Sequence, residues 1–336
     1  MSERAAAVTA FLARAGWGDA EPVPLPGDAS FRRYVRLARG GESALLMDAA
    51  PPQEDVRPYC AVARLLNSLG LSAPRILAED FAHGLLVIED FGDDTFTRLL
   101  AAGADEADLY ALATDCLVAL NRRFVRGLAG ELQPYDDARL LTEAALLVDW
   151  YLPAIAGHPT EPSLRTEYLD LWRRLLPLAR DVPETLVLRD FHVDNLMRLQ
   201  GGEGVARCGL LDFQDAVLGP MSYDLVSLLE DARRDVPPEL ADAMRARFLA
   251  AFPALDRAAF DRSYAVLGAQ RNAKIIGIFT RLCVRDGKPG YLPHIPRVWR
   301  LLEHDLADPD LLPMRRFLAR HIPAEARRIP ASRTAA

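Results

Sequence analysis

The segment at residues 186–199, LVLRDFHVDNLMRL, constrains the fold of this chain more than any other feature of the sequence. Two apolar runs flank a short polar loop in which Asp190 precedes Asn195 by five positions. A later apolar run, CGLLDF, contains Asp212, and the turn-forming letters QGGEG stand between the two regions. If TLVLRD and CGLLDF pair as a β-hairpin, the three polar side chains converge at one end of it.

These three residue types suit the transfer of a phosphoryl group. Asn195 and Asp212 carry oxygen ligands of the kind that Mg²⁺ accepts. In proteins this ion usually binds one or two carboxylates together with the phosphates of the substrate. Asp190 is then left to orient a hydroxyl group and accept its proton. Taken singly, each residue is typical of a turn or a helix cap. The spacing Asp-x4-Asn, followed by an Asp in an apolar run, favours the catalytic interpretation.

The first ninety or so residues predict a small antiparallel sheet with one helix after an amphipathic first helix. The stretch FRRYVRLA alternates apolar and basic residues, Gly40 and Gly41 mark a turn, and SALLMDA is the partner strand. EDVRPYCAVARLLNSLG predicts an amphipathic helix that ends at Gly70, and PRILAED with GLLVIEDFG predicts a second strand pair. The proline-rich stretch at residues 22–30 predicts a loop.

Helical periodicity dominates from residue 94 onward, apart from the two apolar runs around QGGEG. The predicted helices span residues 104–127, 137–156, 163–180, 222–234, 238–251, 257–285 and 292–320. The sequence therefore predicts an α+β chain whose larger, mainly helical part carries one β-hairpin.

Bulk properties narrow the class of protein. A chain of 336 residues with a net charge of −7 disfavours a general nucleic-acid or anionic-membrane surface. No apolar run approaches the roughly 20 residues that span a bilayer, and the start lacks a signal-peptide core. Four scattered cysteines without a CxxC pair predict reduced thiols rather than a zinc site. We therefore expect a cytoplasmic protein without an obligatory protein partner.

Several stretches together resemble the aminoglycoside phosphotransferase and choline kinase-like superfamily, which shares the protein-kinase fold. They are GDASFRRYVRL, LLVIEDFGD, RDFHVDNLM, LLDFQDAVLGPMSYDLVSLLED and RNAKIIGIFTRLCVRDGKPGYLPHIPRV. The resemblance implies a bilobal α+β fold with a small antiparallel β-sheet lobe and a larger mainly helical lobe. Residues 1–91 would form the nucleotide-binding lobe, residues 87–92 the hinge, and residues 93–336 the lobe with the catalytic loop and acceptor site.

Within this superfamily the same stretches are most similar to the bacterial anomeric kinases of N-acetylmuramate and N-acetylglucosamine, which act in cell-wall sugar recycling. This implies a kinase that uses ATP and Mg²⁺ and a small sugar as substrate. The alternatives are a kinase of another small alcohol (an aminoglycoside, choline or a ketosamine) and a nucleotide-binding regulator without catalysis. The second alternative arises from a missing lysine described below.

The resemblance also implies roles for individual residues. Asp190 resembles the catalytic base, and Asn195 and Asp212 resemble the Mg²⁺ ligands. Asp224 resembles the Asp that braces the catalytic loop, a structural role. His192 either contacts the γ-phosphate or is a packed loop histidine.

Two positions depart from the superfamily pattern. Leu188 stands where a His usually supports the catalytic loop. Met47 and Asp48 stand where the second hairpin strand usually carries a phosphate-binding Lys. By strand alternation either Arg32 or Arg33 faces the nucleotide, and we favour Arg33, with a solvated strand face as the alternative. Glu54 then either pairs with that arginine or lies on the surface.

Further nucleotide contacts follow from the same resemblance. The loop PGDAS, whose single glycine is Gly27, would cover the triphosphate, with the backbone N–H groups of residues 28–30 as donors and the Ser30 hydroxyl as a further contact. The adenine ring would bind backbone groups of Glu89 and Phe91 in the hinge.

The acceptor site is predicted on two helices of the larger part. EAALLVDWYLP supplies Glu143 and Trp150, whose carboxylate and aromatic face suit a sugar. Arg271 and Lys274 are three positions apart, hence on one helix face, and either suits the lactyl carboxylate of N-acetylmuramate. The alternatives are a core position for Trp150 and a surface pair for the two cations. A polycationic aminoglycoside would instead require a dense cluster of acids, which the sequence lacks.

Overall fold

The computed structural model describes residues 3–25, 32–130 and 132–331. The β-strands of this part of the chain are β1 (Glu21–Pro24), β2 (Arg33–Arg39), β3 (Glu42–Asp48), β4 (Ile76–Asp80), β5 (Leu85–Glu89), β6 (Glu184–Val187), β7 (Leu196–Arg198), β8 (Cys208–Leu210) and β9 (Val217–Pro220). Its α-helices are α1 (Glu3–Arg14), α2 (Arg57–Ser68), α3 (Phe96–Ala101), α4 (Glu106–Arg123), α5 (Asp137–Ala144), α6 (Leu152–Ala156), α7 (Pro162–Leu175), α8 (Tyr223–Leu229), α9 (Pro238–Ala250), α10 (Arg257–Asp286), α11 (Ile295–Asp305) and α12 (Leu312–His321).

The chain divides into two compact units that are not contiguous in sequence. The first unit comprises Met1–Phe124 and His192–Ala216, and the second comprises Val125–Phe191 and Val217–Ala336. The chain passes from the second unit to the first between Phe191 and His192, in the middle of the predicted catalytic loop. The lobe boundary predicted at residues 91–93 stays a prediction.

The first unit is built around a five-stranded antiparallel sheet with the order β1-β2-β3-β5-β4. The predicted hairpin of β2 and β3 is confirmed, and Gly40 and Gly41 both have positive φ at its turn, the conformation that two-residue hairpin loops require. One face of the sheet packs against α1. The buried residues of this cluster are Phe11, Leu37, Ala44, Leu46, Leu85 and Val87. The predicted loop at residues 22–30 contains β1, an edge strand, and residues 26–31 lie outside the described residues.

The strands around the catalytic loop pair differently from the prediction, which was wrong in its partners. TLVLRD contributes β6, which pairs with β9 in the second unit. The hairpin that spans QGGEG is formed instead by β7, directly after Asn195, and β8 in the first unit. The reason is chain length, because the short segment LMR lies nearer to the turn than TLV does, and near neighbours close a loop at lower entropic cost.

The second unit has its core around α10, a helix of 30 residues. Gly277 on this helix lies against the backbone of Leu146, just before the π-helical turn. A Cβ built on Gly277 would stand 2.3 Å from the carbonyl carbon of Leu146, so only glycine fits at this contact. Two predicted helices are interrupted in this unit. The stretch at 137–156 divides at a π-helical turn, Leu147–Tyr151, and the stretch at 292–320 divides before Pro309, where the missing N–H ends a helix.

Two further expectations can be compared with the described residues. All four cysteines are buried and form no disulfide, and burial raises the pKa of the Cys60 thiol to about 11. Among the helices described, none combines the length and the apolar character that crossing a bilayer requires.

Candidate active site

A cavity of about 640 Å³ in the first unit is lined by four of the predicted nucleotide and metal residues, Glu89, Phe91, Asn195 and Asp212. Its walls come from β2, from the end of β5 and the segment after it, and from residues 195–215. The lining residues that carry polar or charged groups include Arg32, Tyr34, Arg36, Glu54, Glu89, Asp90, Asn195, Asp212, Gln214 and Asp215. Apolar lining comes from Leu25, Leu45, Pro74, Ile88, Phe91, Met197 and Leu211. A volume in the range of about 300 to 1,000 Å³ is usual for sites that bind small ligands.

Of the two arginines that the sequence proposed for the phosphates, Arg32 lines this cavity and Arg33 does not. Side chains along a strand alternate between its faces, and the even positions 32, 34 and 36 line the cavity, while Arg33 is exposed and does not line it. Arg32 Nε lies 3.1 Å from Glu54 Oε2, and both side chains are mostly buried. Burial would lower the Arg32 pKa, but Tyr34 and Glu54 raise it above its ordinary value, so the guanidinium stays charged.

The position of the missing lysine is filled by an apolar residue. Met47 is paired with Tyr34 across β2 and β3 and is buried, two residues from the cavity-lining Leu45. Asp48 points to the other face of the strand and pairs with Arg4. Arg32 is therefore the cation available to phosphates on this wall, and it replaces Arg33 as our candidate.

Asn195 and Asp212 lie side by side in the first unit. Asn195 Nδ2 is 3.4 Å from Asp212 Oδ2, and Gln214 Nε2 donates to Asp212 Oδ1 at 2.8 Å. Asp212 has φ of 56°, a left-handed conformation that is rare for a residue with a side chain. His192 is buried, its carbonyl accepts from Asn195 N at 2.9 Å, and its Nε2 lies 3.4 Å from Asn195 Nδ2.

The donor set fits Mg²⁺. One carboxylate and one amide oxygen leave most of an octahedral shell to phosphate oxygens and water, as is usual for Mg²⁺ in sites that bind nucleotides. Among residues 3–25, 32–130 and 132–331 no group of three or more His, Cys, Asp or Glu side chains is arranged to enclose a metal ion.

The segment after β5 is held by a network centred on Arg36. Its guanidinium makes a two-point ion pair with Asp90, with Nε to Oδ2 at 2.7 Å and Nη2 to Oδ1 at 3.1 Å. A further contact, from Nη1 to Asp93 Oδ2, measures 3.2 Å. Glu89 pairs through its side chain with Arg75 at 2.9 Å, and its backbone N–H donates to the Arg75 carbonyl at 2.9 Å, so a nucleotide contact at this residue would use the Glu89 carbonyl. Phe91 packs so closely on Gly209 that a Cβ there would lie 2.9 Å from the ring.

Phe213, next to Asp212, is fixed by an aromatic partner. Its ring stacks on Tyr59 of α2, with centroids 4.9 Å apart and an angle of 27° between the planes. Glu54, predicted within this helix, lies before it, because α2 begins at Arg57.

Asp190 lies in the second unit, where its backbone neighbours are clamped. Arg189 has φ of 72°, again left-handed. Asp224 accepts hydrogen bonds from the backbone N–H of Leu188 at 2.7 Å and of Arg189 at 2.9 Å, and Ser227 Oγ donates to the Arg189 carbonyl at 3.2 Å. Burial raises the pKa of Asp224 to about 7, against the effect of these backbone hydrogen bonds. The bracing role predicted for Asp224 agrees with these contacts.

The Arg189 side chain joins a buried ion cluster that contains two of the predicted acceptor residues. Glu143 Oε1 lies 2.5 Å from Arg189 Nη2 and 3.2 Å from Lys274 Nζ, while Glu143 Oε2 accepts from the Tyr135 hydroxyl at 2.5 Å. Burial would raise the Glu143 pKa, but the two cations and the tyrosine lower it below its usual value. Glu143 and Lys274 are thus engaged with each other.

The remaining predicted residues are placed as follows. Arg271 is buried and donates to the Ser227 hydroxyl at 2.9 Å and to the Glu230 carbonyl at 3.3 Å. It therefore supports Ser227, which holds the Arg189 carbonyl. Trp150 is half-buried in the π-helical turn. Gly27 and Ser30 lie outside the described residues.

Comparison with known proteins settles the family. Residues 21–260 match the family described as phosphotransferase enzymes. The chain belongs to the phosphotransferase enzyme family. Among its relatives are two proteins named N-acetylmuramate/N-acetylglucosamine kinase. The one from Caulobacter vibrioides is 41% identical, over 97% of this chain and 99% of the relative. The one from Pseudomonas aeruginosa is 40% identical, over 90% of each.

Solved structures share the fold of this phosphotransferase. A choline/ethanolamine kinase family protein from Mesorhizobium loti has a TM-score of 0.59 at 14% identity, covering 94% of this chain and 99% of that one. The GDP complex of aminoglycoside 2'-phosphotransferase-IIIa has a TM-score of 0.60 at 16% identity, covering 91% of this chain and 99% of that one. The predicted kinase-like α+β class, with a small antiparallel sheet and a larger helical part, is confirmed.

Sequence reasoning missed the buried ion cluster of this phosphotransferase, although a signal for it was present. On α5 and the turn after it, Glu143 interrupts the apolar stripe of Leu140, Ala144 and Leu147. A carboxylate at such a position is buried and must be paired. Tyr135, which completes the cluster, lies in a loop and carried no comparable signal.

Proposed function

We propose that this phosphotransferase is a kinase that transfers the γ-phosphoryl group of ATP to the anomeric hydroxyl of N-acetylmuramate or N-acetylglucosamine, with Mg²⁺ as cofactor. The observation that carries the proposal is the similarity, over nearly the whole chain, to relatives named as kinases of these two sugars. The cavity of the first unit supports it independently, because it combines metal-type oxygen donors, a charged arginine and apolar walls.

The nucleotide would use the cavity of the first unit. Apolar side chains such as Leu45, Ile88 and Leu211 suit the faces of a purine, and the Glu89 carbonyl with the backbone at Phe91 suits its hydrogen-bonding edge. Arg32 offers the phosphates a guanidinium that Glu54 orients.

Asn195 and Asp212 would hold the metal ion. When bound, Mg²⁺ neutralises charge on the β- and γ-phosphates. Gln214 donates to Asp212 Oδ1 and so orients the carboxylate, and the stacking of Phe213 on Tyr59 limits the movement of the residue beside it. His192 supports Asn195 through its carbonyl and is a candidate for contact with the γ-phosphate.

Asp190 would act on the acceptor. It orients the anomeric hydroxyl and takes its proton as the oxygen forms a bond to the γ-phosphorus. The bond from that phosphorus to the β–γ bridging oxygen breaks, and ADP leaves. Positioning supplies much of the acceleration in such a reaction. The contacts that Asp224, Ser227 and Glu143 make with Arg189 would hold the backbone next to Asp190 in place.

The test is an assay of ADP release with N-acetylmuramate, N-acetylglucosamine, choline, kanamycin and a ketosamine as acceptors, followed by phosphorus NMR of the products. We expect turnover with the two N-acetylated sugars and a signal from a phosphate on the anomeric carbon, coupled to the anomeric proton. Turnover with choline, kanamycin or the ketosamine alone would replace the proposed acceptor. ATP binding without turnover on any acceptor would support the regulator instead.

A further inference from the structure

A second cavity, in the second unit, lies beside the residue that precedes the candidate base. Its volume is about 540 Å³, and it is lined by Gln133, Pro134, Asp136, Ala138, Arg139, Thr142, Glu143 and Arg189. We call it the α5 groove, because α5 and the residues just before it form most of its wall. Arg189, which is bonded to Asp190 in the chain, lies on the same wall.

The carboxylates of the α5 groove are already engaged. Glu143 is paired with Arg189 and Lys274 and accepts from Tyr135. Asp136 is the N-cap of α5 and accepts the backbone N–H of Arg139 at 2.9 Å. A polycationic acceptor would therefore find its counter-charges committed to the protein.

Arg139 differs from the other charged residues of the groove. Its side chain is half-buried and lines the cavity, yet across residues 3–25, 32–130 and 132–331 its guanidinium has neither an ion pair nor a hydrogen bond. A guanidinium held at a cavity wall by a capped helix is a two-point donor for a carboxylate. The groove therefore favours an anionic ligand.

The other lining suits a sugar. The Thr142 hydroxyl donates its proton to the Ala138 carbonyl at 2.7 Å, which leaves its oxygen able to accept and its methyl group available for apolar contact. Together with Pro134 and Ala138 it forms an apolar patch next to the charged residues. Such a mixture fits a pyranose ring that carries an acetyl methyl group and a carboxylate.

We propose that Arg139 binds the lactyl carboxylate of N-acetylmuramate in the α5 groove and so determines how this acceptor is distinguished from N-acetylglucosamine. The proposal rests on the proposed function, since it names the residue that would bind the carboxylate of one of the two proposed acceptors. The two sugars differ in the lactyl ether alone, and only the first presents a carboxylate. The sequence had pointed to Arg271 and Lys274 for this role, but both are engaged in buried contacts.

The experiment compares Arg139→Gln and Arg139→Lys with the unaltered protein on both sugars. We expect Arg139→Gln to raise KM for N-acetylmuramate by roughly 10- to 100-fold while KM for N-acetylglucosamine changes about twofold or less. Arg139→Lys retains the charge without the two-point geometry, so its effect should be intermediate. Arg174→Gln, an exposed arginine on α7, is the matched control and should leave both constants unchanged.

The outcomes separate this proposal from the proposed function. Equal losses on both sugars would make Arg139 a structural residue, and unchanged constants on both would place the carboxylate elsewhere; each overturns the inference while the kinase assignment stands. If the unaltered protein phosphorylates neither sugar, the proposed function fails first and the inference fails with it. Turnover on N-acetylglucosamine in each variant serves as the check that the protein is folded.

Discussion

The cavity of the first unit and the ion cluster of the second unit use charge in opposite ways. Around the cavity, the side chains of Arg32, Asn195 and Asp212 line a space of about 640 Å³ that could hold a ligand. In the cluster, Glu143 is held by three partners and is buried among them. Charged side chains of this phosphotransferase therefore divide into those that line a cavity and those that are buried in pairs, and we propose that the first group contacts the substrates while the second group positions the catalytic loop.

The largest effect should come from the candidate base. Asp190→Asn keeps the size of the side chain but removes the proton acceptor, so we expect turnover to fall roughly 10²- to 10⁴-fold. ATP affinity should change little, which isothermal titration with ATP and Mg²⁺ would measure. Asp194→Asn, a change of the same kind in the same loop, is the control and should retain most activity. If the two variants lose activity to the same extent, Asp190 has no special role.

The next effect concerns stability rather than turnover. Glu143→Gln leaves two buried cations without their shared counter-charge, and breaking a buried ion pair from one side costs about 3 to 5 kcal/mol. Urea unfolding at pH 7 would measure this loss. Glu239→Gln on α9, an exposed glutamate, should change stability by less than about 0.5 kcal/mol. Similar values for both variants would mean that the cluster contributes nothing.

The same cluster predicts a dependence on pH. The folded state lowers the Glu143 pKa, so it binds the carboxyl proton more weakly than the unfolded chain does. The resulting stability is present above the unfolded pKa of about 4.3 and is lost as the pH falls through the lower folded value. The difference in unfolding free energy between the unaltered protein and Glu143→Gln should therefore shrink as the pH falls below about 4.3. If the difference in unfolding free energy instead grows as the pH falls, the folded state raises the Glu143 pKa and the prediction is wrong.

A smaller effect is expected on the cavity wall. Arg32→Met should raise KM for ATP by about tenfold, as expected when one charge-assisted contact to phosphate is removed. Arg33→Met is the matched control one residue away, an exposed side chain at the start of β2 that does not line the cavity, and it should leave KM for ATP unchanged. The reverse result would restore Arg33 as the phosphate contact and overturn the assignment made from strand alternation.

The smallest effect concerns the ring pair behind Asp212. Tyr59→Leu removes the stacking on Phe213, a loss of about 1 kcal/mol beyond the change in buried area. Thermal unfolding followed by circular dichroism would detect the difference from Tyr59→Phe, which keeps the stack. Equal melting temperatures for the two variants would show that the stack adds no stability.

The same division explains how much the sequence could predict. Asp190, Asn195 and Asp212 could be proposed because local spacing expresses their chemistry; the structure places Asn195 beside Asp212, and the roles of all three stay predictions. The β2–β3 hairpin was predicted correctly because strand alternation and Gly40-Gly41 are local signals. The partner of β6 was missed because β9 lies some thirty residues further along, and local periodicity carries no information on such pairing. Arg32 and Arg33 are neighbours and point to opposite faces, and the sequence does not fix which face of the strand lines the cavity.

The acceptor residues were harder still. Arg271 and Lys274 are three apart on one helix, as predicted, but whether a helix face meets solvent or another helix depends on the whole second unit. Arg139 gave no signal because an arginine near a helix start is common on protein surfaces. Its importance follows only from the absence of a partner for its guanidinium within the described part of the chain.

The two left-handed residues, Arg189 and Asp212, have a consequence for engineering. Each carries a side chain in a conformation that only glycine adopts freely, at a cost of about 1 to 2 kcal/mol per residue. A directed-evolution campaign that rewards heat resistance alone will therefore favour glycine at position 212 and will discard in the same step the carboxylate that stands there, whereas glycine at position 189 would also remove the cation that pairs with the buried Glu143. Libraries built on this chain should hold positions 189 and 212 fixed and seek thermostability elsewhere.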